Sequence, residues 1–401
     1  MTMRAVYLTD GWCTPGTVAE RICVGEIPVP AGAEDNGEGG TTAGSALAPN
    51  KVVVEVRASA INVDDVAMAQ DAAGGGWFFH GKTPTRSSPW AGGMEYAGVV
   101  LAVGTAVATG SNPLQVGDRV CGLQDRAVGK HPGVWCERTV ALAKHVVKVP
   151  KECDEMSFVQ LASCSMGAMV SGDMYRRAKL PRDGDRASRC LVVGASGGLG
   201  TFMLSVLAAH KGKQPPHVTG VCSGKHADLV KRLGAAEVID YTQGDFAEQL
   251  VEADAFDVVF DFVGGLAVER SAKRVLKRGG KFITAVGPAR AVGDKVLSCC
   301  EWYSWACGLT CRLLGSSCCC CCTRHIYDMG GGMPPLKTAD FTAAVVDAGA
   351  RAEVAMEVPF EEAAIREALR RVASRHTGGK VVINMEALGA ENMEALGAEK
   401  E

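Results

Sequence analysis

From Cys190 the chain runs through an apolar strand, Cys190-Leu191-Val192-Val193, into the turn Ala195-Ser196-Gly197-Gly198-Leu199-Gly200 and then into a helix bearing Phe202, Leu204, Val206 and Leu207. A bound pyrophosphate asks for this order. Glycines permit a tight turn, close approach of the backbone to the anion and tight packing of helix on strand, while the helix N-terminus supplies partial positive charge. Ala195 stands where the usual fingerprint has its first glycine. A glycine pattern alone also occurs in purely structural turns; the strand before it, the helix after it and the βαβ unit that follows point to a nucleotide site.

An adenine ribose is usually held by an Asp or Glu about 20 residues further on, at the end of the second strand. Here that strand ends Val221-Cys222-Ser223-Gly224-Lys225-His226, and the first carboxylate after it is Asp228. A hydroxyl and a cation suit a 2′-phosphate and leave the ribose of NADH without its acceptor, so the expected cofactor is NADPH. The other reading of the same residues is a solvated Lys225 and a capping Ser223.

These groups need a scaffold. The chain has 401 residues, which at roughly 150 per domain suggests two or three domains. Apolar residues at 47% and charged residues at 22% are ordinary for a globular protein. Lys plus Arg (42) against Asp plus Glu (45) leaves a net charge of −3, without the basic field that nucleic acid requires. The start, MTMRAVYLTDGW, reads as a strand, not as a secretion or transit signal. No stretch reaches the ~18 uncharged apolar residues of a membrane span. The expected location is cytoplasmic, with an organellar or membrane-associated one as the alternative.

The expected class is α/β. Residues 1–155 read as a β domain of short apolar runs divided by Gly, Asn and Asp, with a Gly-rich, exposed insertion at 31–49. From 156 to 315, strands and helices alternate, which argues for a parallel sheet covered by helices. Residues 316–385 hold too few elements for a core of their own and are expected to fold back onto the first domain. The terminus, 386–401, reads as a disordered or helical tail; NMEALGAE occurs at 384–391 and again at 392–399.

The segments GASGGLG, HVTGVCSGKHADLVKRLGAAEVIDY, DVVFDFVGG and GKVVI together resemble the medium-chain dehydrogenase/reductase superfamily. Within it they resemble the zinc-free quinone oxidoreductase branch, that of zeta-crystallin and the reticulon-interacting mitochondrial reductases. The resemblance covers Lys51 to Met385. It implies a Rossmann doubly wound parallel sheet inserted in a GroES-like β domain, NADPH in the cleft between them, and a homodimer through the edge of the Rossmann sheet. By position it implies pyrophosphate contacts from Ser196, Gly198 and Leu199, and contacts to the phosphorylated adenosine from Ser223, Lys225 and Tyr241. Val263, Gly264, Val286 and Gly287 would lie at the nicotinamide end, and the last Rossmann strand would lie around Ala306 to Leu314.

Zinc-dependent members of the superfamily carry Gly-His-Glu. The matching stretch is Gly93-Met94-Glu95, without an imidazole, and Ala60-Ile61-Asn62-Val63-Asp64-Asp65 occupies the place of the first catalytic cysteine. Cys164 falls near another ligand position, but a catalytic zinc takes three protein ligands. The structural four-cysteine lobe is reduced to Cys121 and Cys136. No metal is expected.

Without a Lewis acid, the reaction implied is hydride delivery to an electron-poor alkene or a quinone, with a proton from solvent or a weak side-chain acid and with positioning supplying most of the rate. Asn62 is the catalytic candidate, since the matching Asn of the family sits at the cleft and its amide can donate to a developing oxyanion. Its other reading is a turn-stabilising Asn after a strand. Trp77, Phe78, Phe79 and His80 either line the entrance for a flat apolar substrate or pack as a surface loop.

Nine of the 17 cysteines fall between Cys299 and Cys322. Five consecutive thiols cannot converge on one ion, and Cys307-x-x-x-Cys311 lacks a second pair. S-acylation beside Trp302 and Trp305, giving a membrane or protein partner through 299–322, is a second reading. Small apolar packing is the third. The function expected is therefore an NADPH-dependent, zinc-independent oxidoreductase acting on a quinone or an α,β-unsaturated carbonyl. Its alternative is a catalytically weak or inactive reductase-like subunit with a structural role in a larger, membrane-bound assembly.

Overall fold

The computed structural model describes residues 2–30, 32–33, 47–70, 83–107, 113–124, 133–183, 186–250, 255–288, 306–313, 325–330 and 336–388. Six strands form a parallel sheet in the order Glu237–Asp240, His217–Cys222, Arg189–Val193, Phe256–Asp261, Leu276–Thr284 and Ile326–Met329. Counted along the chain this is 3-2-1-4-5-6, the doubly wound Rossmann order. Its central strands are apolar on both faces, as a sheet covered by helices requires: Cys190, Leu191, Val192, Val259 and Phe260 are fully buried. The order reverses between Arg189–Val193 and Phe256–Asp261, and ligands of such sheets bind beyond the carboxyl ends of the strands at that point.

The GroES-like β domain is built on Lys51–Ile61, whose run of β-branched Val52, Val53, Val54 and Val56 suits a buried strand. It pairs antiparallel with Glu95–Val103, with Arg138–Leu142 and with the C-terminal strand Lys380–Asn384, beyond which Val354–Pro359 adds in parallel. The end of the chain thereby completes the sheet begun near its start.

One helix joins the two halves. Phe158–Ala178 starts at a capping box, in which Ser157 Oγ accepts from Gln160 N–H and Gln160 Oε1 accepts from Ser157 N–H. Further along it, the Ser171 hydroxyl donates to the Leu199 carbonyl at 2.9 Å, and Gly167 leaves room for the ring of Phe202. The dinucleotide helix is therefore locked to an element that also packs on the β domain.

Two expectations are corrected. The last Rossmann strand was expected around Ala306 to Leu314, yet residues 306–313 are helical, and the sixth strand is Ile326–Met329, inside the segment expected to belong wholly to the first domain. The Arg312 guanidinium, paired with buried Glu269 of the helix Leu266–Val275, holds 306–313 against the sheet's helical layer. The insertion at 31–49 does not begin exposed: Ala33 is fully buried beside Val53 and Val140. Residues 34–46, and the repeat beyond 388, lie outside the described residues. No helix among the described residues is long and apolar enough to cross a membrane.

Candidate active site

The turn after Arg189–Val193 has the geometry that its glycines predicted. Gly194 turns at φ +81, and helix Gly198–Ala208 starts from Gly197. A side chain at Gly200 would run into the Gly194 carbonyl and the Ala195 backbone, so only glycine lets the helix lie this close to the strand. Ser196, Gly197, Gly198 and Leu199 are half-buried at the carboxyl end of the sheet, at its switch point.

The second strand ends in a cavity of about 340 Å³ lined by Ser223, Gly224, Lys225, Asp240, Tyr241, Thr242 and His376. Three of these, Ser223, Lys225 and Tyr241, are the residues implied for the phosphorylated adenosine. Two are additions. Asp240 brings a carboxylate from the third strand, and His376 arrives from the C-terminal segment. Hydrogen bonds from the Thr242 hydroxyl and N–H hold the Asp240 carboxyl below the usual carboxylate range.

The loops after the fourth and fifth strands interlock. Buried Asp261 accepts from Val263 N–H and Gly264 N–H, both at 2.9 Å, and from the Thr284 hydroxyl at 2.8 Å; Thr284 Oγ1 in turn accepts from Val286 N–H and Gly287 N–H. Burial raises the Asp261 carboxyl above its ordinary range against those hydrogen bonds. Gly265 N–H closes the pair on the Gly287 carbonyl, and Gly194 lies against Val263. Val263, Gly264, Val286 and Gly287 thus sit together beside the dinucleotide turn.

Asn62 lies between Lys51–Ile61 and helix Val63–Ala69, and its amide is held from two sides. Lys380 Nζ donates to Asn62 Oδ1 at 2.7 Å, and Asn62 Nδ2 donates to Glu95 Oε2 at 3.1 Å. Lys380 Nζ also meets Glu95 Oε2 at 2.5 Å, with the two side chains 4% and 0% exposed. Met166 N–H closes the cluster on Glu95 Oε1 at 2.6 Å. An ammonium has three donors; two are used here, and none of the described residues takes the third. The Lys380 stem passes directly over Gly198, with Cδ 2.9 Å from where a Cβ would stand. Beside the cluster, fully buried Asp65 accepts from Asn62 N–H through Oδ2 and has no partner for Oδ1; burial pushes its carboxyl up to about 8.

Sequence reasoning had passed over Lys380 as the opening of an apolar strand, and had read Glu95 only as the remnant of a metal motif. A lone Lys in GGKVVI was the available signal. Asp261 had one too, an acid closing the apolar run Val258-Val259-Phe260. Trp77, Phe78, Phe79 and His80 lie outside the described residues, as does most of 299–322; Cys307 and Cys311 are exposed on the 306–313 helix.

The alcohol dehydrogenase GroES-like domain model matches residues 48–151, and the zinc-binding dehydrogenase model matches 233–307. The mitochondrial NAD(P)H oxidoreductase RTN4IP1 of Mus musculus is 31% identical over 84% of this chain and 82% of its own length, and that of Homo sapiens is 30% identical over the same shares. Among solved structures, the quinone oxidoreductase from Coxiella burnetii superposes with a TM-score of 0.69 at 17% identity, over 96% of this chain and 100% of that one.

Proposed function

The chain belongs to the medium-chain dehydrogenase/reductase superfamily, in its zinc-free quinone oxidoreductase-like branch, and on that premise we propose that it is an NADPH-dependent oxidoreductase that delivers hydride to a quinone or an α,β-unsaturated carbonyl without zinc. The observation that carries this reading is the buried Lys380–Glu95–Asn62 cluster set against Gly198 of the dinucleotide turn.

Lys380 and the N-terminus of helix Gly198–Ala208 are two positive features brought together in a desolvated place. Glu95 offsets one of them, and an anion is the natural complement of the other, which fits a pyrophosphate cradled by Ser196, Gly197, Gly198, Leu199 and Gly200. Ser223, Lys225 and Tyr241 hold the adenosine end, and Val263, Gly264, Val286 and Gly287 form the wall at the other end. A reduced nicotinamide bound there supplies the hydride. The second Nδ2 hydrogen of Asn62 has only the Ala60 carbonyl at 3.5 Å, the outer limit of a hydrogen bond and easily exchanged, and Lys380 keeps its third N–H. These are the donors open to the acceptor's oxygen as negative charge develops on it.

Zinc does not fit this site. Both oxygens of Glu95 are engaged, Met94 stands where an imidazole would be, and burial raises the Cys164 thiol, which would have to ionise to bind metal. The zinc-binding dehydrogenase match, at 233–307, lies outside all three positions.

The relatives named NAD(P)H oxidoreductase and the trans-enoyl reductase milB of Cordyceps militaris, 28% identical over 60% of this chain, support the reductase reading. The mitochondrial label of the former supports an organellar location over the cytoplasmic one. A homodimer would use an outer strand of the parallel sheet, Glu237–Asp240 or Ile326–Met329. Quenching of NADPH fluorescence, followed by turnover with a panel of quinones and 2-alkenals, tests the proposal. Tight NADPH binding with no turnover of any acceptor would favour a structural subunit instead.

A further inference from the structure

The adenosine cavity carries a group that neither the glycine turn nor the second strand supplies. His376 lies between helix Glu362–Ala373 and strand Lys380–Asn384, in the C-terminal segment, and lines the cavity together with Lys225. Its loop packs on the turn after His217–Cys222: the His226 ring stands 2.6 Å from where a Cβ on Gly378 would be. Charges from both halves meet around this turn. Lys225 and His226 come from the Rossmann half and Arg371 and His376 from the C-terminal segment, while Asp240 faces them from the third strand. Burial, and then repulsion from Lys225, Arg371 and His376, lowers His226 below the ordinary imidazole range. His376 Nδ1 is bonded to the Ser374 carbonyl, which leaves Nε2 as the ring nitrogen available to a ligand.

We propose that His376 completes the 2′-phosphate site and so adds to the preference for NADPH over NADH. This rests on the nicotinamide reading above. Asp240 by itself suits a ribose 2′-hydroxyl and repels a phosphate. Lys225 offsets one negative charge, and His376, with Nε2 uncommitted on the same cavity, adds a second nitrogen group for the phosphate oxygens.

The test is the dissociation constant of NADPH and of NADH, read by nicotinamide fluorescence at one pH, for the wild type, His376→Ala and Lys225→Ala. The preference for NADPH should fall by roughly three- to tenfold in His376→Ala, an exposed charge-assisted contact being worth about that much, while NADH affinity stays as it was, which also reports that the variant is folded. Lys225→Ala should weaken NADPH in the same selective way. An unchanged preference in His376→Ala, or equal weakening of both cofactors, overturns the proposal. Failure of the wild type to bind either cofactor overturns the nicotinamide reading and this inference with it.

Discussion

Lys380 Nζ lies 2.5 Å from Glu95 Oε2 with both side chains out of water, so a strand from the end of the chain holds its charge against the residue that follows Gly93-Met94. Removing one member of such a pair strands the other. Lys380→Met should lower unfolding stability by about 3–5 kcal/mol, and the double variant Lys380→Met/Glu95→Gln should recover most of that loss because it buries no unpaired charge. Reductase turnover should stay low in both, since Asn62 loses its Lys380 partner either way. Urea unfolding alongside steady-state rates separates the two effects.

Asp65 gives the protein a pH signature. Its carboxyl is pushed from an ordinary 3.8 up to about 8 in the folded state, chiefly by burial. A raised folded value means that this group's stabilising contribution is complete below about pH 4 and is lost as pH climbs through about 8. Asp65→Asn keeps an oxygen to accept from Asn62 N–H and carries no titrating group. Thermal unfolding of the wild type should therefore lose stability between pH 5 and pH 8 more steeply than that of Asp65→Asn, within the window set by those two values.

Gly198 is required for space at the Lys380 stem. A methyl there would stand 2.9 Å from Lys380 Cδ and 3.2 Å from Cε, tighter than packed atoms tolerate. Gly198→Ala should cost about 1–3 kcal/mol and displace the ammonium from Asn62, lowering both cofactor affinity and turnover. Lys380→Met should relieve the clash, so a double-mutant cycle on stability should give a coupling of roughly 0.5 kcal/mol or more.

Much of this was legible in residue order. The Rossmann half declared itself because Gly200, Ser223 and Lys225 occupy local, ordered positions just after the strands Arg189–Val193 and His217–Cys222, and local patterns survive in one dimension. The Lys380–Glu95–Asn62 cluster did not, because Lys380 and Asn62 are 318 residues apart and meet only when Lys380–Asn384 pairs with Lys51–Ile61. The strand expected near Ala306 failed for a related reason. Apolar and cysteine-rich composition cannot tell a buried strand from a short helix, and here the Arg312–Glu269 ion pair fixes the helix. His376 was invisible for a third reason, since a polar loop residue acquires meaning only from the cavity it closes.

The central claim is hydride transfer by this chain's own residues without zinc. The most direct measurement is incubation of metal-stripped protein with NADPH carrying deuterium at both C4 positions and a 2-alkenal, whose β-carbon keeps the transferred label, with mass spectrometry of the product. The account predicts product carrying one deuterium at a rate unchanged by added chelator, and loss of that label in Lys380→Met. Label transfer that appears only after zinc is restored would contradict it.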